Sequence, residues 1–204
     1  MERIKVIILG DAGVGKSSLV YTYISGDFRE EIEPTKAASF MSKQVKVEGR
    51  TVRLDLWDTA GQEKNAILGR LYWREVRVVL LTYDTSTLST IEKMLRWYDV
   101  LVTEMDISTI KIFIAACKID LLDTEYQVPS QVTEFSIKAQ APVFKISSKS
   151  NCNIERLFNC IAKAALEPNS QLSSHSSITL NKHRHSERLE YSSKNIHKSK
   201  CCKV

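Results

Sequence analysis

A glycine-rich segment near the start of the chain has the residue types and spacing that hold a polyphosphate. Residues 10–17 read Gly-Asp-Ala-Gly-Val-Gly-Lys-Ser, which is the G-x-x-x-x-G-K-[ST] pattern of a phosphate-binding loop. Its glycines let backbone N–H groups converge on an anion, Lys16 supplies a charge for the β and γ phosphates, and Ser17 offers a hydroxyl to Mg²⁺. The alternative is a chance glycine-rich turn, which the apolar run before the loop and the helical pattern after it disfavour. The predicted nucleotide-binding residues here are Ala12, Gly13, Val14, Gly15, Lys16, Ser17 and Ser18.

Four further segments follow this loop in a fixed order. They are Thr35 after Pro34, Trp-Asp-Thr-Ala-Gly-Gln-Glu at 57–63, Cys-Lys-Ile-Asp at 117–120 and Ser-Ser-Lys at 147–149. Together with the phosphate loop they resemble the small GTPases of the Ras superfamily, over about residues 3–166. The segments at 71–74 and 81–84 are similar to those that distinguish the Rab family of vesicle-traffic regulators. The Lys-Ala-Ala-Ser-Phe sequence after Thr35 is nearest to the endocytic Rabs.

The resemblance implies a GTP hydrolase. In Ras relatives, the aspartate of Asp-Thr-Ala-Gly-Gln reaches Mg²⁺ through water, the glycine N–H contacts the γ-phosphate, and the glutamine orients the attacking water. The corresponding residues here are Asp58, Gly61 and Gln62. Thr35 resembles the first-switch threonine that closes on Mg²⁺ and the γ-phosphate only when GTP is bound. The implied metal-site residues are therefore Ser17, Thr35 and Asp58. The implied catalytic residue is Gln62, with an ordinary exposed loop position as the alternative.

Histidine is absent before residue 170, so the folded part lacks the commonest general base. Phosphoryl transfer needs positioning and charge neutralisation more than a strong base, and the absence agrees with the implied chemistry. Because no arginine is obviously placed to act in cis, we expect slow unaided hydrolysis. An activating protein that supplies an arginine would accelerate it by roughly 10³ to 10⁵. Two alternatives remain, a membrane-tethered nucleotide-dependent scaffold with little or no turnover, and a P-loop kinase, although neither a lid nor an acceptor site is visible.

The resemblance also assigns residues to the base of the nucleotide. Phe28 precedes Thr35 by seven residues, the family spacing of an aromatic ring that lies against guanine, with a place in the core as the alternative. In the family motif N-K-x-D, the aspartate accepts hydrogen bonds from the ring N–H and the exocyclic amine of guanine. Asp120 takes that position, and Lys118 is expected to cover the face of the base. Ser147, Ser148 and Lys149 resemble the family's S-A-K, with the Ser148 N–H directed at the guanine carbonyl oxygen and an ordinary strand end as the alternative.

Several positions depart from the family pattern. Cys117 stands where the family has asparagine, and because a thiol is a weak hydrogen-bond group, one contact to the base and its tie to the phosphate loop are lost. We expect nucleotide affinity to fall about tenfold, with faster release than in the relatives. Lys36 and Ala37 replace the residues that usually follow the first-switch threonine, and Lys64 and Asn65 replace a common arginine and phenylalanine of the second switch. The charge of Lys36 is expected to alter which partner docks.

The elements that must position these residues alternate along the chain. Predicted strands lie at 3–9, 76–84, 111–120 and 142–148. Two further strands form a predicted antiparallel hairpin, one before and one after the turn-like pair Glu48 and Gly49. Predicted helices lie at 16–25, 89–103 and 130–140 and begin again at residue 153. The last helix has a core-facing stripe of Ile154, Leu157, Phe158, Ile161 and Ala165. Asn153 is available as its cap. The predicted class is an α/β P-loop NTPase small G domain, a mixed, mostly parallel six-stranded sheet with helices on both faces.

The predicted G domain covers residues 1–167, and residues 168–204 are predicted to form a flexible, basic, serine-rich tail with too little apolar surface to fold. Before residue 170 the chain has 22 Lys or Arg against 22 Asp or Glu, and from residue 170 it has 7 against 2, so the net charge of +5 lies in the tail. Cys201 and Cys202 resemble the doubly geranylgeranylated ending of Rab proteins. Two lipid chains and a basic tail predict stable membrane anchoring, and a solvated linker is the alternative for the charge alone.

Composition and resemblance together define the expected surroundings. The sequence has 43% apolar and 26% charged residues and five irregularly placed cysteines, and no apolar run approaches the roughly 18 residues of a membrane span, which predicts a cytoplasmic protein with reduced thiols. The resemblance implies GTP/GDP and Mg²⁺ as cofactors. The implied partners are an exchange factor, a GTPase-activating protein, effectors of the GTP form, prenylation machinery and a GDP-dissociation inhibitor. We expect a monomer on the cytoplasmic face of endomembranes, endosomes being favoured, and no binding to nucleic-acid polymers.

Overall fold

The computed structural model describes residues 1–31, 33, 35, 38–60 and 70–167 of the chain. These residues belong to a compact unit, Met1–Pro168, and the second unit, Asn169–Val204, lies outside the described residues. The domain boundary at residue 167, the tail and the two lipidation residues Cys201 and Cys202 therefore stay predictions. Within the described ranges, no helix combines the length and the apolar composition needed to cross a bilayer.

A six-stranded sheet forms the centre of the compact unit. Its strands are β1 (Glu2–Gly10), β2 (Ser39–Val47), β3 (Arg50–Asp58), β4 (Val76–Asp84), β5 (Lys111–Cys117) and β6 (Val143–Lys145). They lie in the order β2-β3-β1-β4-β5-β6. β2 and β3 pair antiparallel, and the other four pairings are parallel. β1 and β4 are almost continuously buried, as expected of parallel strands that are covered on both faces.

Helices cover both faces of this sheet. They are α1 (Lys16–Ser25), α2 (Arg70–Trp73), α3 (Ser89–Glu104), α4 (Ser130–Ala139) and α5 (Ile154–Leu166). Leu19 of α1 and Phe158 of α5 pack into the core on one face, and Met94 of α3 and Val132 of α4 pack into the core on the other. The architecture confirms the predicted small G-domain fold. The four-residue α2 escapes sequence prediction because it is too short to show a helical period.

The last helix confirms one prediction and corrects another. All five residues of the predicted stripe on α5 are buried, with at most 3% of their surface exposed. Asn153 lies directly before the helix, but its side chain makes no capping hydrogen bond. It adopts a left-handed conformation with φ 60°, and its amide donates instead to the Lys145 carbonyl oxygen at 2.8 Å. The cap prediction is therefore wrong, because this side chain ties the end of β6 to the start of α5.

Two strands end earlier than predicted, and in each case the chain leaves the sheet at the candidate site. The strand predicted at 111–120 ends at Cys117, because Lys118 takes a φ of 64° and Ile119–Leu121 form a 3-10 turn. The strand predicted at 142–148 is reduced to Val143–Lys145. Ser147 then pairs with Cys152 in an isolated bridge.

The carboxyl ends of four strands meet at one edge of the sheet. Gly10 ends β1, Asp58 ends β3, Asp84 ends β4 and Cys117 ends β5. Open parallel sheets bind ligands outside this edge, because the loops that leave the strands converge there. Asp58 and Cys117, both singled out in the sequence, are themselves such strand ends, and the phosphate loop follows Gly10 directly.

Candidate nucleotide-binding site

A cavity of about 710 Å³ lies at this edge, and most of the predicted site residues line it. The predicted residues in its wall are Ala12, Gly13, Gly15, Lys16, Ser17, Ser18, Phe28, Thr35, Cys117, Lys118, Asp120, Ser148 and Lys149. Four residues that were not predicted also line it, namely Glu30, Glu33, Thr59 and Leu121. The volume suits a small-molecule ligand. The structure therefore brings together residues that lie more than a hundred positions apart in sequence.

The phosphate loop joins β1 to α1 as predicted. Gly10 is required there by close approach, because a Cβ at this position would lie 2.2 Å from Thr82 Oγ1 and 2.5 Å from the Thr82 carbonyl oxygen. Lys16 is buried, and its Nζ donates to the carbonyl oxygens of Gly10 at 3.0 Å and Asp11 at 2.7 Å. Burial lowers the pKa of Lys16, and the negative charges of Asp58 and Asp11 partly oppose that shift. The ammonium group is thereby held inside the loop, in a position suited to a phosphate.

Three side chains from three separate parts of the chain meet beside the loop. Ser17 Oγ donates to Asp58 Oδ2 at 2.6 Å, Ser17 Oγ lies 2.8 Å from Thr35 Oγ1, and Thr35 Oγ1 lies 3.5 Å from Asp58 Oδ2. The second oxygen of Asp58, Oδ1, is buried without a hydrogen-bond partner. Hydroxyl and carboxylate oxygens are the ligands that Mg²⁺ prefers. The unpaired oxygen and the donor set fit the predicted magnesium site, directly or through water.

The electrostatics of Asp58 agree with a site for a cation. Burial raises the pKa of Asp58, whereas hydrogen bonds from Ser17 and Thr35 and the charge of Lys16 lower it. A buried carboxylate is costly unless a positive charge or donors compensate it. A divalent cation at this position would supply that compensation. Among the described residues, no group of three or more histidine, cysteine or acidic side chains could hold a metal ion, so the candidate cation ligands are one carboxylate and two hydroxyls.

The opposite end of the cavity is built around Asp120. Ser147 is fully buried, its Oγ donates to Asp120 Oδ1 at 2.5 Å, and it accepts from the Ser150 N–H at 3.0 Å. Ser147 does not line the cavity, and neither does Val14, which is buried. Ser147 therefore lies outside the cavity wall, and its hydrogen bond orients the carboxylate of Asp120. Asp120 and Ser148 face the cavity, as their assigned roles require.

Lys118 reaches a partner that the sequence did not reveal. Its Nζ lies 2.7 Å from Asp84 Oδ2, and its Cε lies 3.8 Å from where a Cβ on Gly15 would be. Burial alone would raise the pKa of Asp84, but hydrogen bonds from Lys118 and Ser86 hold that pKa below its usual range. Lys118 therefore links the end of β4 to the phosphate loop. The position of Asp84 at the carboxyl end of a predicted parallel strand is the signal that could have identified it.

Cys117 lies in the cavity wall beside the phosphate loop. Only 3% of its surface is exposed, and its Cβ is 3.9 Å from where a Cβ on Gly15 would be. Its thiol makes one weak contact, to the Ala115 carbonyl oxygen at 3.7 Å. Burial, together with the nearby charge of Asp84, raises the pKa of Cys117 to about 12. The residue is therefore a neutral thiol at physiological pH.

The remaining predicted residues divide between the open side of the cavity and the undescribed parts of the chain. Phe28 is half-buried and lines the cavity, and it is not a member of either core cluster. Lys149 Nζ lies 3.8 Å from Glu30 Oε1. The predicted catalytic residue Gln62 and the γ-phosphate contact Gly61 lie outside the described residues, as do Lys36, Ala37, Lys64 and Asn65.

The cavity has a phosphate loop at one end, hydroxyl and carboxylate oxygens beside that loop, and a carboxylate at the other end. This arrangement defines a P-loop nucleotide-binding protein with a small G-domain fold. The sequence model of the Ras family matches residues 5–167. The chain is 34% identical over 170 residues to Ras-related protein RABG3f of Arabidopsis thaliana, covering 80% of this chain and 82% of the relative. Two other relatives are each 33% identical to the chain over 172 residues, covering 81% of this chain and 83% of the relative. They are Ypt/Rab-type GTPase YPT7 of Saccharomyces cerevisiae and Ras-related protein Rab7A of Mesembryanthemum crystallinum. The chain belongs to the Ras family of small GTPases and, within it, to the Rab proteins.

Proposed function

We propose that this chain is a switch that cycles between GTP and GDP, hydrolyses GTP and recruits effectors in intracellular vesicle traffic. The observation that carries the proposal is the meeting of Ser17, Thr35 and Asp58. These side chains come from α1, from the segment before β2 and from the end of β3. A group bound at this point would hold all three segments together, and its loss would release them.

Each residue has a proposed part in hydrolysis. Lys16 and the N–H groups of the phosphate loop bind the β and γ phosphates, and the oxygens of Ser17, Thr35 and Asp58 hold Mg²⁺. The ion, when bound, neutralises the charge that develops between the β and γ phosphates. Gln62 orients the attacking water. The proton of this water passes to a γ-phosphate oxygen, a route that needs no side-chain base, in a part of the chain that has no histidine before residue 170.

Guanine selectivity is proposed to depend on Asp120. Its carboxylate accepts from the ring N–H and the exocyclic amine of guanine, donors that adenine does not present together. Ser147 supports this role, because its hydroxyl donates to one carboxylate oxygen and so fixes the orientation of the group. Phe28 lies against the base, and Ser148 offers its N–H to the guanine carbonyl oxygen.

Unaided hydrolysis is proposed to be slow, so that regulators set the cycle. Among the described residues that line the cavity none is an arginine, and an arginine supplied by an activating protein would neutralise the charge of the transition state. Membership of the Rab proteins supports further partners of the kinds predicted from the sequence, namely an exchange factor, effectors, prenylation machinery and a GDP-dissociation inhibitor. We propose attachment to the cytoplasmic face of endomembranes, endosomes in particular, through geranylgeranyl groups on Cys201 and Cys202.

Single-turnover hydrolysis tests the proposed activity against the alternative of a scaffold with little turnover, which the relatives do not support. Wild-type protein loaded with radiolabelled GTP is expected to release phosphate, faster with an activating protein for Rab GTPases, and Gln62→Leu is expected to abolish most of that release. Gln127→Leu is the matched control, because Gln127 is an exposed glutamine outside the cavity. Equal rates in all three proteins would refute the role of Gln62, and absence of turnover in the wild type would favour the scaffold.

A further inference from the structure

The connection between β5 and α4 is fastened to the sheet by two buried tyrosine hydroxyls. The Oη atoms of Tyr83 and Tyr126 lie 2.8 Å apart. Tyr83 is fully buried, and Tyr126 has 9% of its surface exposed. Neither residue lines the nucleotide cavity. The roles proposed for the nucleotide-site residues therefore do not account for this buried polar contact.

The Tyr83 end of this contact is fixed relative to the cavity. Tyr83 lies in β4 opposite Ala116 of β5, and the next pair in register is Asp84 opposite Cys117. Asp84 in turn holds the ammonium group of Lys118. A central parallel strand bordered on both sides is among the most rigid parts of a protein. The backbone of Tyr83 is thus fixed beside Ala116, the residue before Cys117 of the cavity wall.

The Tyr126 end belongs to the same connection as Asp120. After the 3-10 turn at Ile119–Leu121, residues 122–129 form neither helix nor strand. Tyr126 is buried in this stretch, whereas its other residues are half-buried or exposed. The start of the connection is held by the Ile119 N–H, which donates to the Ile146 carbonyl oxygen at 3.2 Å, and by Ser147 on Asp120. The hydroxyl contact therefore links the irregular part of the connection to β4, alongside the apolar packing of Leu122 and Val128 against the core.

We propose that Tyr126, through its hydroxyl contact with Tyr83, is a positioning residue that sets the guanine selectivity of Asp120. If one hydroxyl is removed, the other is left buried without a partner, which is strongly unfavourable. Without this contact the connection is no longer held to β4 at Tyr126, and its outward movement displaces Asp120, which lies in the 3-10 turn at its start. The inference depends on the proposed binding of guanine by Asp120.

Comparison of GDP with inosine diphosphate tests this proposal, because the inosine base lacks the exocyclic amine that Asp120 recognises. The affinity of the full chain for each nucleotide is measured by competition against a fluorescent GDP analogue. In Tyr126→Phe the ring packing is retained, and we expect the ratio of GDP affinity to inosine diphosphate affinity to fall about threefold. Tyr83→Phe is expected to have the same effect. The double variant is expected to show no further fall, because both substitutions remove one contact.

A control variant and a stability measurement separate positioning from general damage. Tyr98→Phe removes a hydroxyl from a ring that packs against Phe135 of α4, and it should leave the ratio unchanged. Melting temperatures are recorded for all variants, because a purely structural role would lower stability without altering the ratio. If the single variants do not fold, the double variant, which leaves no unpaired hydroxyl, is measured in their place.

The outcomes are distinguishable. A lowered ratio in Tyr126→Phe and Tyr83→Phe, with an unchanged ratio in Tyr98→Phe, supports the proposal. A wild-type ratio in folded Tyr126→Phe overturns it, while guanine binding by Asp120 remains supported. Wild-type protein that binds GDP and inosine diphosphate equally would instead refute the proposed function of Asp120, and the inference with it.

Discussion

In the variant Cys117→Asn, an amide replaces the thiol that lies between the base end of the cavity and the phosphate loop. The Cβ of Cys117 is 3.9 Å from where a Cβ on Gly15 would be, so an amide one bond further out is within reach of the loop backbone. Thr85 offers a second partner, because its N–H donates to the Cys117 carbonyl oxygen at 2.9 Å and its own hydroxyl is buried without a partner. The present thiol contributes only a contact of 3.7 Å to the Ala115 carbonyl oxygen.

The expected magnitude follows from the number of hydrogen bonds gained. One net hydrogen bond between an amide and the loop or the base contributes about 1 to 1.5 kcal/mol. This corresponds to about a tenfold change in an equilibrium constant at room temperature. Because affinity differences between closely related complexes appear mostly in the dissociation rate, we expect most of the change there. Release of GDP from Cys117→Asn should therefore be about tenfold slower than from the wild type.

The assay follows the loss of fluorescence when a labelled GDP analogue is displaced by excess unlabelled GDP in the presence of Mg²⁺. Cys160→Asn is the matched control, because Cys160 is the half-buried free cysteine of α5 and lies outside the cavity. Its release rate should equal that of the wild type. An unchanged rate in Cys117→Asn, with the protein folded, would refute the reasoning that the thiol weakens nucleotide binding.

Three further predictions concern Gly10 and Asp84 at the carboxyl ends of β1 and β4, and Glu75 directly before the start of β4. Gly10→Ala should lower the free energy of unfolding by about 1 to 3 kcal/mol and reduce the amount of co-purifying nucleotide, because the added Cβ would lie 2.2 Å from Thr82 Oγ1. Thermal unfolding measures the loss of stability, and chromatography measures the bound nucleotide. Glu75→Gly should raise the free energy of unfolding by about 0.5 to 1 kcal/mol in urea titrations, because Glu75 holds a φ of 62°. Asp84→Asn should destabilise the protein near neutral pH. The Asp84 pKa is held below its usual range, so the contribution of its bridge to Lys118 is present above the unfolded pKa of about 3.9 and is lost as the pH falls through the folded value.

Each of these predictions has a control and a contrary outcome. Glu134→Gly is the control for Glu75→Gly, because Glu134 lies at an exposed position within α4, and it should lower the free energy of unfolding by about 1 kcal/mol. A higher free energy of unfolding in Glu134→Gly would contradict the argument from the φ of Glu75. Asp123→Asn, at an exposed position in the connection after β5, should leave the pH dependence unchanged. A difference between wild type and Asp84→Asn that does not begin to shrink as the pH falls below the unfolded pKa of about 3.9 would contradict the role of the Asp84 carboxylate. Wild-type stability in Gly10→Ala would contradict the close approach to Thr82.

The sequence predicts the fold because its elements carry strong periodic patterns. The stripe on α5 and the apolar run of β4 are both found where predicted, since burial decides both. Predictions fail where a side chain or a turn overrides the local pattern. The cap at Asn153 is replaced by a contact to Lys145, and the strand predicted at 142–148 is cut short where Ser147 bridges Cys152.

The sequence also predicts most of the cavity wall, because the phosphate loop and the base-end segments follow strand ends directly. Contacts between distant segments carry no such local signal. The bridge between Lys118 and Asp84 and the hydroxyl pair of Tyr83 and Tyr126 join residues that are 34 and 43 positions apart, and they follow from the order of β4 and β5 in the sheet. The place of Asp84 at the end of β4 marks it as a candidate site residue, but only the folded arrangement shows which residues are partners.

Binding of guanine and adenine nucleotides to the purified chain tests the central claim most directly. Titration calorimetry with GTP and with ATP, each with Mg²⁺ and after chelation of the metal, measures both selectivities in one experiment. We expect GTP to bind far more tightly than ATP, and chelation to weaken GTP binding because Ser17, Thr35 and Asp58 then lose the ion that they hold. Equal affinity for the two nucleotides, or GTP binding that does not respond to Mg²⁺, would contradict the account.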